Sequence, residues 1–438
     1  MLELGCGDAG NLVAMAVTLP DARFTGVDGA PGAIARGREL VAALGLGNVA
    51  LEARTIEDHE PAPASFDYVI AHGVYSWVAP AVRDRLLATC RAALASDGVA
   101  YVSYNALPGG RARQALRDML LFHTAGVDEP RERIEQARAL LRFLVEGSPA
   151  DSDLRRHAAE LLERSDASLL HDDLAEVNDP VYFHDFAAHA ARHGLQYLTE
   201  ADFFESQIGA VSEPAAEAML AVEDPVRREQ YLDFLKGRMF RQTLLVGDEH
   251  AIDRTPRPAA IEHLAVSTHV ERREGVFEGP TGSRLTTDNP VVIEALDRAA
   301  RSWPAAVWVR DLIAPGADAA ALCDALLRAY AANLVTLHVH PPRMATTPGD
   351  APCASPLARH QARAGELVTN LRHVTVRLED DLGRRLVTLL DGTRDRAALA
   401  AQLRAFLSER GERMPDAQLL EGLERSLQGL AQLALLQG

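Results

Sequence analysis

The sequence predicts an α/β protein that begins with a doubly wound, mostly parallel sheet and continues into smaller α+β units. Three observations predict this class. Short apolar strands alternate with helical segments from the start of the chain, a glycine-rich turn follows the first strand, and shorter strands with turn-rich connections replace this alternation after about residue 250. Strands that alternate with helices form parallel sheets with helices on both faces.

The chain opens with the apolar strand Met1-Leu-Glu-Leu, which leads into the turn Gly5-Cys-Gly-Asp-Ala-Gly-Asn11. Glycine adopts dihedral angles that other residues avoid, so backbone can come close to a bound cofactor here. Residues 11–19 are predicted to form a helix, whose N-terminal amides would face a ligand in the turn. The spacing of the glycines also satisfies the dinucleotide fingerprint, so the turn alone leaves two cofactor classes open.

Glu3 lies inside this first strand, two residues before the first glycine. A pyrophosphate-binding turn gains nothing from a buried anion, whereas a carboxylate suits a cofactor with a cationic end. Leu2, Glu3, Gly5 and Gly7 resemble the first motif of the class I S-adenosylmethionine-dependent methyltransferases. The resemblance implies a Rossmann-like methyltransferase sheet and S-adenosyl-L-methionine as the cofactor.

The next two strands add acidic residues to this predicted cofactor site. A strand over residues 23–27 ends at Asp28, where an acid accepts hydrogen bonds from ribose hydroxyls. A third strand over residues 49–53 leads to Glu57 and Asp58, and in the resembling family an acid at this point meets the adenine amino group. The full set expected to bind the cofactor is Glu3, Gly5, Cys6, Gly7, Asn11, Asp28, Gly29, Glu57, Asp58 and His72.

Strands four and five are predicted at residues 66–71 and 98–104, with a helix over residues 81–94 between them. Ligands of such sheets gather at the carboxyl ends of the strands. Methyl transfer is an in-line displacement that needs alignment and exclusion of water, and aromatic faces attract a cationic methyl group. The expected catalytic residues are the aromatic ring of Tyr75, Trp77 and Tyr104, with Asn105 as an orienting group and His72 as a proton acceptor.

After residue 110 the pattern becomes helical, with helices predicted over residues 111–122, 130–145 and 154–163. We expect residues 111–180 to form a helical insertion, which is also a candidate dimerisation element. Strands at residues 194–198 and 240–246 then complete the sheet within residues 181–250. The runs Glu176–Phe186, His193–Phe203 and Gln230–Thr243 resemble the bacterial methyltransferase regulatory domain. Relatives with this architecture include protein-lysine methyltransferases that are usually dimers, which implies a protein substrate and a possible homodimer.

The last third of the sequence predicts two small, winged-helix-like α+β units. The middle unit spans residues 251–345, a proline-rich linker is expected over residues 346–369, and the last unit spans residues 370–438. Winged helices often bind DNA, but neither unit carries the basic cluster that nucleic acid requires. We therefore expect interaction or substrate-docking modules.

Composition excludes several other classes. The 438 residues include 62 acidic and 45 basic side chains, for a formal net charge of −17, which argues against binding to nucleic acid or to an anionic membrane. No apolar stretch is long enough to span a bilayer. The four scattered cysteines form no metal-type pair, and His171, His184, His189 and His193 show no ligand spacing, so no metal site is expected. A cytoplasmic protein is predicted.

Two alternatives stay open at this point. An NAD-dependent oxidoreductase would use the same strand and turn, although Glu3 and Asp58 speak against it. A methyltransferase-like fold could also serve as a non-catalytic binding or regulatory module. Met1 already lies in the first strand, where methyltransferase domains normally have a preceding helix that covers the cofactor. Either the start is truncated or another segment supplies this lid.

Overall fold

The computed structural model describes residues 1–209, 211–280, 282–316, 318–341 and 343–438. The chain forms two compact units. The first comprises residues 1–6, 27–30 and 53–252, and the second comprises residues 7–26, 31–52 and 253–438.

The main sheet has seven strands, all of which the sequence predicted. Their bounds are β1 Leu2–Leu4, β2 Phe24–Asp28, β3 Val49–Ala53, β4 Phe66–Ala71, β5 Leu94–Asn105, β6 Leu195–Glu200 and β7 Phe240–Gly247. The order across the sheet is β3-β2-β1-β4-β5-β7-β6. Strand β4 pairs parallel with β1 and β5, whereas β7 pairs antiparallel with β5 and β6. The predicted doubly wound, mostly parallel sheet is confirmed.

Seventeen helices occur in the described ranges of the chain. They are α1 Gly10–Thr18, α2 Pro31–Ala43, α3 Pro80–Ala93, α4 Arg111–His123, α5 Pro130–Gly147, α6 Asp153–Leu162, α7 Asp166–Ser168, α8 Phe183–Arg192, α9 Glu213–Leu220, α10 Pro225–Lys236, α11 Pro290–Arg301, α12 Val309–Leu312, α13 Ala319–Ala331, α14 Pro356–Ala364, α15 Asp381–Leu389, α16 Arg396–Glu409 and α17 Asp416–Gln432. None of the described helices has both the length and the apolar character needed to cross a bilayer.

The core of the first unit lies between the sheet and its helices. Buried apolar side chains of β1, β4 and β5 pack against Leu86 and Leu87 of α3 and Phe186 and Ala190 of α8. The side chains of a strand alternate between its two faces, and both faces of β1 are covered, so all three of its residues are buried. This apolar core therefore holds the strands in place, and the polar residues of the predicted site lie where the strands end.

The predicted helical insertion has a core of its own. Helices α4, α5 and α6 bury leucines and alanines against one another, among them Leu116, Leu120 and Leu141. Local sequence sets the helix starts: the side chain of Glu129 accepts a hydrogen bond from the backbone of Glu132 at the start of α5, and Ser152 caps α6 in the same way.

Residues 253–438 of the second unit form eight short strands within the described part of the chain. They are β8 Ala265–Ser267, β9 Glu271–Arg273, β10 Val276–Glu278, β11 Arg284–Thr286, β12 Val307–Trp308, β13 Thr336–His338, β14 Leu367–Thr369 and β15 Thr375–Arg377. They form sheets in the orders β11-β10-β9, β12-β8-β13 and β14-β15. The two predicted α+β units are present, each with its own buried core.

The prediction of a linker over residues 346–369 is wrong for the second half of that range. Helix α14 and strand β14 lie there, and Ala358 and Ala362 are buried in the core of the last unit. Pro356 marks the first turn of α14 and not the end of a linker. Proline suits a helix start because the missing N–H has no partner there in any case.

Candidate active site

The turn after β1 is held against the end of β2 by the backbone. The amides of Gly5 and Cys6 both donate to the carbonyl oxygen of Val27, at 2.8 and 3.1 Å. Because Asp28 follows Val27, its carboxylate stands next to the turn that begins two residues after Glu3. The structure thus brings the two predicted donor-binding acids to neighbouring strands of one sheet edge.

Gly5 is required at its position for two reasons. Its φ angle is 74°, and a Cβ atom there would lie 2.5 Å from Cγ2 of Val74. Gly7 also has a positive φ, of 56°. Asn11, an exposed residue, is the second residue of α1. Gly7 and Asn11 belong to the second unit.

The acids after β2 and β3 are arranged by short local hydrogen bonds. Asp28 Oδ1 accepts from the amide of Ala30 at 2.8 Å, and the amide of Arg54 donates to the Asp28 carbonyl oxygen at 2.9 Å. The Thr55 hydroxyl donates to Asp58 Oδ2 at 2.9 Å and accepts from the Asp58 amide at 3.2 Å. Asp58 is exposed, so its second carboxylate oxygen remains accessible to a ligand.

The remaining predicted cofactor residues differ in exposure. Glu3 is only 4% exposed and Cys6 only 8%, whereas Gly29 and Glu57 are exposed. A buried carboxylate is costly unless a partner stabilises it. Glu3 is thus a buried carboxylate within β1, whereas Glu57 is exposed at the surface.

A cavity of about 360 Å³ opens beside the carboxyl ends of β4 and β5. It is lined by three predicted site residues, His72, Trp77 and Asn105, and by Gly73, which follows His72. The rest of the wall comes from the helical insertion, the segment that follows it and the start of β7. These residues are Gly110, Arg113, Gln114, Arg117, His171, Asp172, Asn178, Pro180, Met239 and Phe240.

His72 is anchored on one ring nitrogen. Its Nδ1 lies 2.9 Å from the Tyr101 hydroxyl and 3.2 Å from the Ser103 hydroxyl oxygen. The Tyr101 hydroxyl donates to Gln242 Oε1 at 2.7 Å. Desolvation by burial lowers the pKa of His72 from its usual value of 6.5, so the imidazole is neutral at pH 7.

Trp77 and Asn105 connect the catalytic core to the opposite wall of the cavity. The Trp77 ring packs on the His171 ring with centroids 4.9 Å apart. The Asn105 side-chain amide donates to Asn178 Oδ1 at 2.8 Å, and Asn178 in turn donates to the carbonyl oxygen of Asp172 at 2.9 Å. Both predicted residues therefore line the cavity, and their roles in the reaction stay predictions.

Tyr75 and Tyr104 do not line the cavity. They are 3% and 1% exposed and belong to the hydrophobic core, where Tyr104 stacks on Phe186 with ring centroids 4.1 Å apart. Burial raises the pKa of Tyr75 to about 12. The expected aromatic ring at the reacting methyl is corrected accordingly: of its three members, only Trp77 borders the cavity.

The sequence analysis missed the polar wall that faces His72. Asp172 pairs with His171 Nδ1 at 2.9 Å, with Arg164 at 2.9 Å and with Arg113 at 3.3 Å. Burial opposes the charge of Asp172, but the bonds from His171 and Arg113 outweigh it and lower the pKa of this carboxyl group. The only sequence signal was the acidic pair at positions 172 and 173 in an otherwise apolar helical stretch.

Three family models match separate parts of the chain. Residues 2–100 match a methyltransferase domain, residues 165–247 match a "Predicted methyltransferase regulatory domain", and residues 350–435 match the model described as "PKMT, C-terminal winged helix domain". The chain belongs to the methyltransferase family. The winged-helix match covers the last of the two small units, both of which the sequence analysis expected to be winged-helix-like.

Two relatives of this methyltransferase come from Rickettsia prowazekii (strain Madrid E). Uncharacterized protein RP789 is 40% identical over 259 residues, which is 58% of this chain and 47% of the relative. Uncharacterized protein RP028 is 32% identical over 203 residues, which is 45% of this chain and 81% of the relative. The chain thus spans about half the length of RP789 and most of RP028.

A solved structure shares the fold across the whole chain. The structure of PKMT2 from Rickettsia typhi in complex with AdoHcy has a TM-score of 0.87 and 23% identity, and the match covers 100% of this chain and 94% of PKMT2. At this identity the similarity shows the fold alone. The methyltransferase sheet, the regulatory region and the winged helix therefore occur in one known architecture.

Proposed function

We propose that this protein transfers a methyl group from S-adenosylmethionine to the side-chain amine of lysine in a protein substrate. The cavity beside β4 and β5 carries this proposal, because His72, Trp77 and Asn105 all line it beside the carboxyl ends of these strands, where ligands of such sheets bind. The methyltransferase domain match supports the reaction class, and the PKMT description of the C-terminal model supports the acceptor.

The residues at the sheet edge fit this donor. S-adenosylmethionine supplies an electrophilic methyl group on a cationic sulfur. Glu3 adds a buried anion that suits the cationic end, and Asp28 offers carboxylate oxygens to the ribose hydroxyls. Gly5 lets the turn pass close to Val74, where a Cβ atom would clash, and the role of Asp58 at the adenine amino group stays a prediction. The roles of Cys6, Gly7, Asn11, Gly29 and Glu57 stay predictions.

His72 is our candidate for the proton acceptor. A lysine amine has a pKa near 10.4 and must lose a proton before it can act as a nucleophile. Tyr101 gives its only hydroxyl proton to Gln242, so its oxygen is available as an acceptor for His72 Nδ1. We infer that His72 uses the tautomer with its proton on Nδ1, so that Nε2 carries a lone pair and takes the proton from the substrate ammonium.

The other cavity residues position the acceptor. Trp77 and Phe240 offer aromatic faces to an alkyl ammonium group, which is attracted by π-faces. Asn105 offers a polar group at the end of β5. Asp172 and Asp173 pair with Arg113, so the positive charge of Arg113 is offset where it lines the cavity.

Transfer of labelled methyl groups tests the proposal. The full chain is incubated with methyl-labelled S-adenosylmethionine and a protein lysate of its host, and labelled proteins are digested and analysed by mass spectrometry. Mono-, di- or trimethyllysine on substrate peptides is expected. Label in arginine, in a carboxylate or only in the small-molecule fraction would overturn the lysine assignment.

The sequence of the protein simplifies this assay. Its only lysine is Lys236, so a Lys236→Arg variant removes all lysine self-labelling. Lys236 donates to the backbone carbonyl of Glu205, a bond that arginine can also make. A His72→Gln variant serves as the inactive control. Equal lysine methylation by wild type and Lys236→Arg, with none above background for His72→Gln, is the expected pattern.

Two further parts of the proposal concern assembly and location. We propose a homodimer formed through the helical insertion, supported by the exposed apolar side chains of Phe122 on α4 and Phe143 on α5. We also propose a cytoplasmic location, because all four cysteines are free thiols. Light scattering of the purified full chain and fractionation of the host cells test these two points, and a monomer or a secreted protein would contradict them.

A further inference from the structure

A second cluster of polar side chains lies in the first unit, outside the cavity. Asp84 of α3 stands between His189, on the last turn of α8, and His193, which directly follows that helix. Asp84 Oδ1 is 3.3 Å from His189 Nε2 and 3.0 Å from His193 Nε2. Each residue offers one ligand atom, and these three atoms lie within 4.8 Å of one another.

The helix explains how two histidines come to share one carboxylate. Residues four apart on a helix lie on the same face, so His189 and His193 project together. Phe186 and Ala190, on the neighbouring face of α8, are buried in the core and fix the orientation of the helix. The histidine side chains are only 12% and 16% exposed, whereas the Asp84 side chain is 61% exposed, so the cluster is open to solvent from the Asp84 side.

We propose that Asp84, His189 and His193 form a binding site for a divalent transition-metal ion, with Zn²⁺ as the ion that the ligand set favours. Zinc takes histidine nitrogen and carboxylate oxygen at about 2.0–2.2 Å in tetrahedral geometry, which separates neighbouring ligand atoms by roughly 3.3 Å. The observed separations of 3.0 and 3.3 Å match this spacing with little movement. Three protein ligands leave the fourth position for water.

An outer partner prepares His189 for this role. Its Nδ1 lies 2.8 Å from the Tyr75 hydroxyl. A metal-binding histidine needs its other ring nitrogen to donate to an oxygen, and such partners fix both the tautomer and the ring orientation. The Tyr75 hydroxyl oxygen can accept this bond when Nε2 of His189 binds the ion.

The site would link two parts of the chain that are distant in sequence. Asp84 lies in the part that matches the methyltransferase domain, and both histidines lie in the part that matches the regulatory domain. Tyr75, which contacts His189, is followed by Ser76, whose hydroxyl accepts from the amide of Asn105 at the cavity. A bound ion would therefore stiffen the contact between α3 and α8 behind the cavity wall.

Metal titration of the full chain tests the site. The protein is prepared without an affinity tag, treated with chelator and titrated with ZnCl₂ by calorimetry, with thermal unfolding measured in parallel. We expect one equivalent of Zn²⁺ to bind at micromolar or lower concentration, and saturating Zn²⁺ to raise the Tm by a few degrees. Co²⁺ in place of Zn²⁺ should give the intense visible absorption of a tetrahedral site.

Two variants and a matched control make the result specific. Asp84→Asn and His193→Ala should each lower the Zn²⁺ affinity at least about tenfold, because each removes one ligand. His157→Ala is the control: His157 also pairs with a carboxylate, Glu160, at 3.2 Å, but has no third ligand, so affinity should not change. Circular dichroism confirms that each variant is folded.

The opposite results would overturn the proposal. If the wild-type chain binds no Zn²⁺ at 100 µM, or if Asp84→Asn and His193→Ala bind it as tightly as wild type, the cluster is a hydrogen-bonded ion pair and nothing more. The same conclusion follows if His157→Ala loses as much affinity as the two ligand variants. None of these measurements depends on methyl transfer, so they test the metal site independently of the proposed activity.

Discussion

His72 is the residue on which the proposed chemistry depends most. We predict that His72→Gln lowers kcat for methyl transfer by about a hundredfold or more, since a positioned general base contributes roughly 10²–10⁴ in rate. The affinity for S-adenosylmethionine, measured by calorimetry, should stay within twofold of wild type. A variant with full activity would remove His72 from the mechanism.

The pH dependence follows from the same residue. Burial lowers the pKa of His72 from 6.5, and only the neutral imidazole accepts a proton. Activity should therefore rise with pH, with a midpoint below pH 6.5. Well above that midpoint, activity should no longer depend on the ionisation of His72. Tyr101, Arg113, Arg117, His171 and Asp172 are the titratable groups around this ring or cavity. A kcat/KM profile between pH 5 and 9 for wild type and His72→Gln shows whether this pH dependence is lost when His72 is replaced.

Asp28 tests the donor site. In Asp28→Asn the remaining Oδ1 still accepts from the amide of Ala30, so the local turn is kept while the charge is lost. Hydrogen bonds to charged groups contribute about 1.5–3 kcal/mol, so the Kd for S-adenosylmethionine should rise roughly 10- to 150-fold. Asp21→Asn, an exposed turn residue before β2, is the matched control. Unchanged affinity in Asp28→Asn would contradict the assignment.

The alternation of side chains along β5 explains which site residues the sequence revealed. Tyr101 and Ser103 contact His72 and Asn105 lines the cavity, so these odd-numbered residues share one face. Tyr104 points to the other face and stacks on Phe186. A strand places successive side chains on opposite faces, so Tyr104 and Asn105, both of which the sequence analysis expected at the reacting methyl, lie on different faces. The residue types do not separate them, because an aromatic residue suits a core and a cavity equally well.

The strands of the main sheet could be predicted from the sequence, whereas the part of the cavity wall that comes from the helical insertion could not. β1 and its turn carry a motif whose spacing is local, so Glu3, Gly5 and Asp28 could be placed from the sequence. Arg113 and Asp172 meet the cavity through the packing of α4 and of the segment after α7. No local spacing links them to His72, since the insertion is positioned by its own apolar core and not by a motif.

An ion pair in that insertion should contribute measurably to stability. The Asp173 side chain is 1% exposed and its Oδ1 lies 2.8 Å from Arg113 Nε. Asp173→Asn should lower the free energy of unfolding by about 1.5–3 kcal/mol, because a hydrogen bond between charged and nearly buried groups is weakened. Urea denaturation measures this change.

The matched control is Asp166→Asn, which removes an ion pair with Arg138 in which the carboxylate is 67% exposed. Exposed pairs contribute about 0–1 kcal/mol, so this variant should lose less stability than Asp173→Asn. Equal losses in the two variants would mean that burial of Asp173 adds nothing to the strength of its pair.

For the whole molecule, we expect stability to fall in mild acid. Burial lowers the pKa of His338 to about 4, and the nearby Arg372 acts in the same direction. The folded state therefore favours the neutral imidazole, and this stabilisation is fully present above pH 6.5 and is lost progressively as pH falls from 6.5 towards 4. The Tm should be lower at pH 5 than at pH 7.5.

His338→Gln tests the origin of that acid sensitivity. The amide keeps a polar partner for Ser267, to which His338 Nε2 lies at 2.9 Å, but it does not titrate. The difference in Tm between pH 7.5 and pH 5 should therefore shrink in this variant. His123→Gln, at the exposed end of α4, should leave the difference as it is in wild type. An unchanged difference in His338→Gln would assign the acid sensitivity to other groups.

The cavity wall is built from two separate stretches of chain. His72, Trp77 and Asn105 come from the same sheet edge as the predicted donor site, whereas Arg113, Gln114, His171 and Asp172 come from the insertion. Substitutions in the insertion can therefore alter the shape and charge of the cavity without touching Glu3 or Asp28. Under the proposed function, variants of this chain could be selected for new protein substrates while the proposed methyl-donor site keeps its sequence.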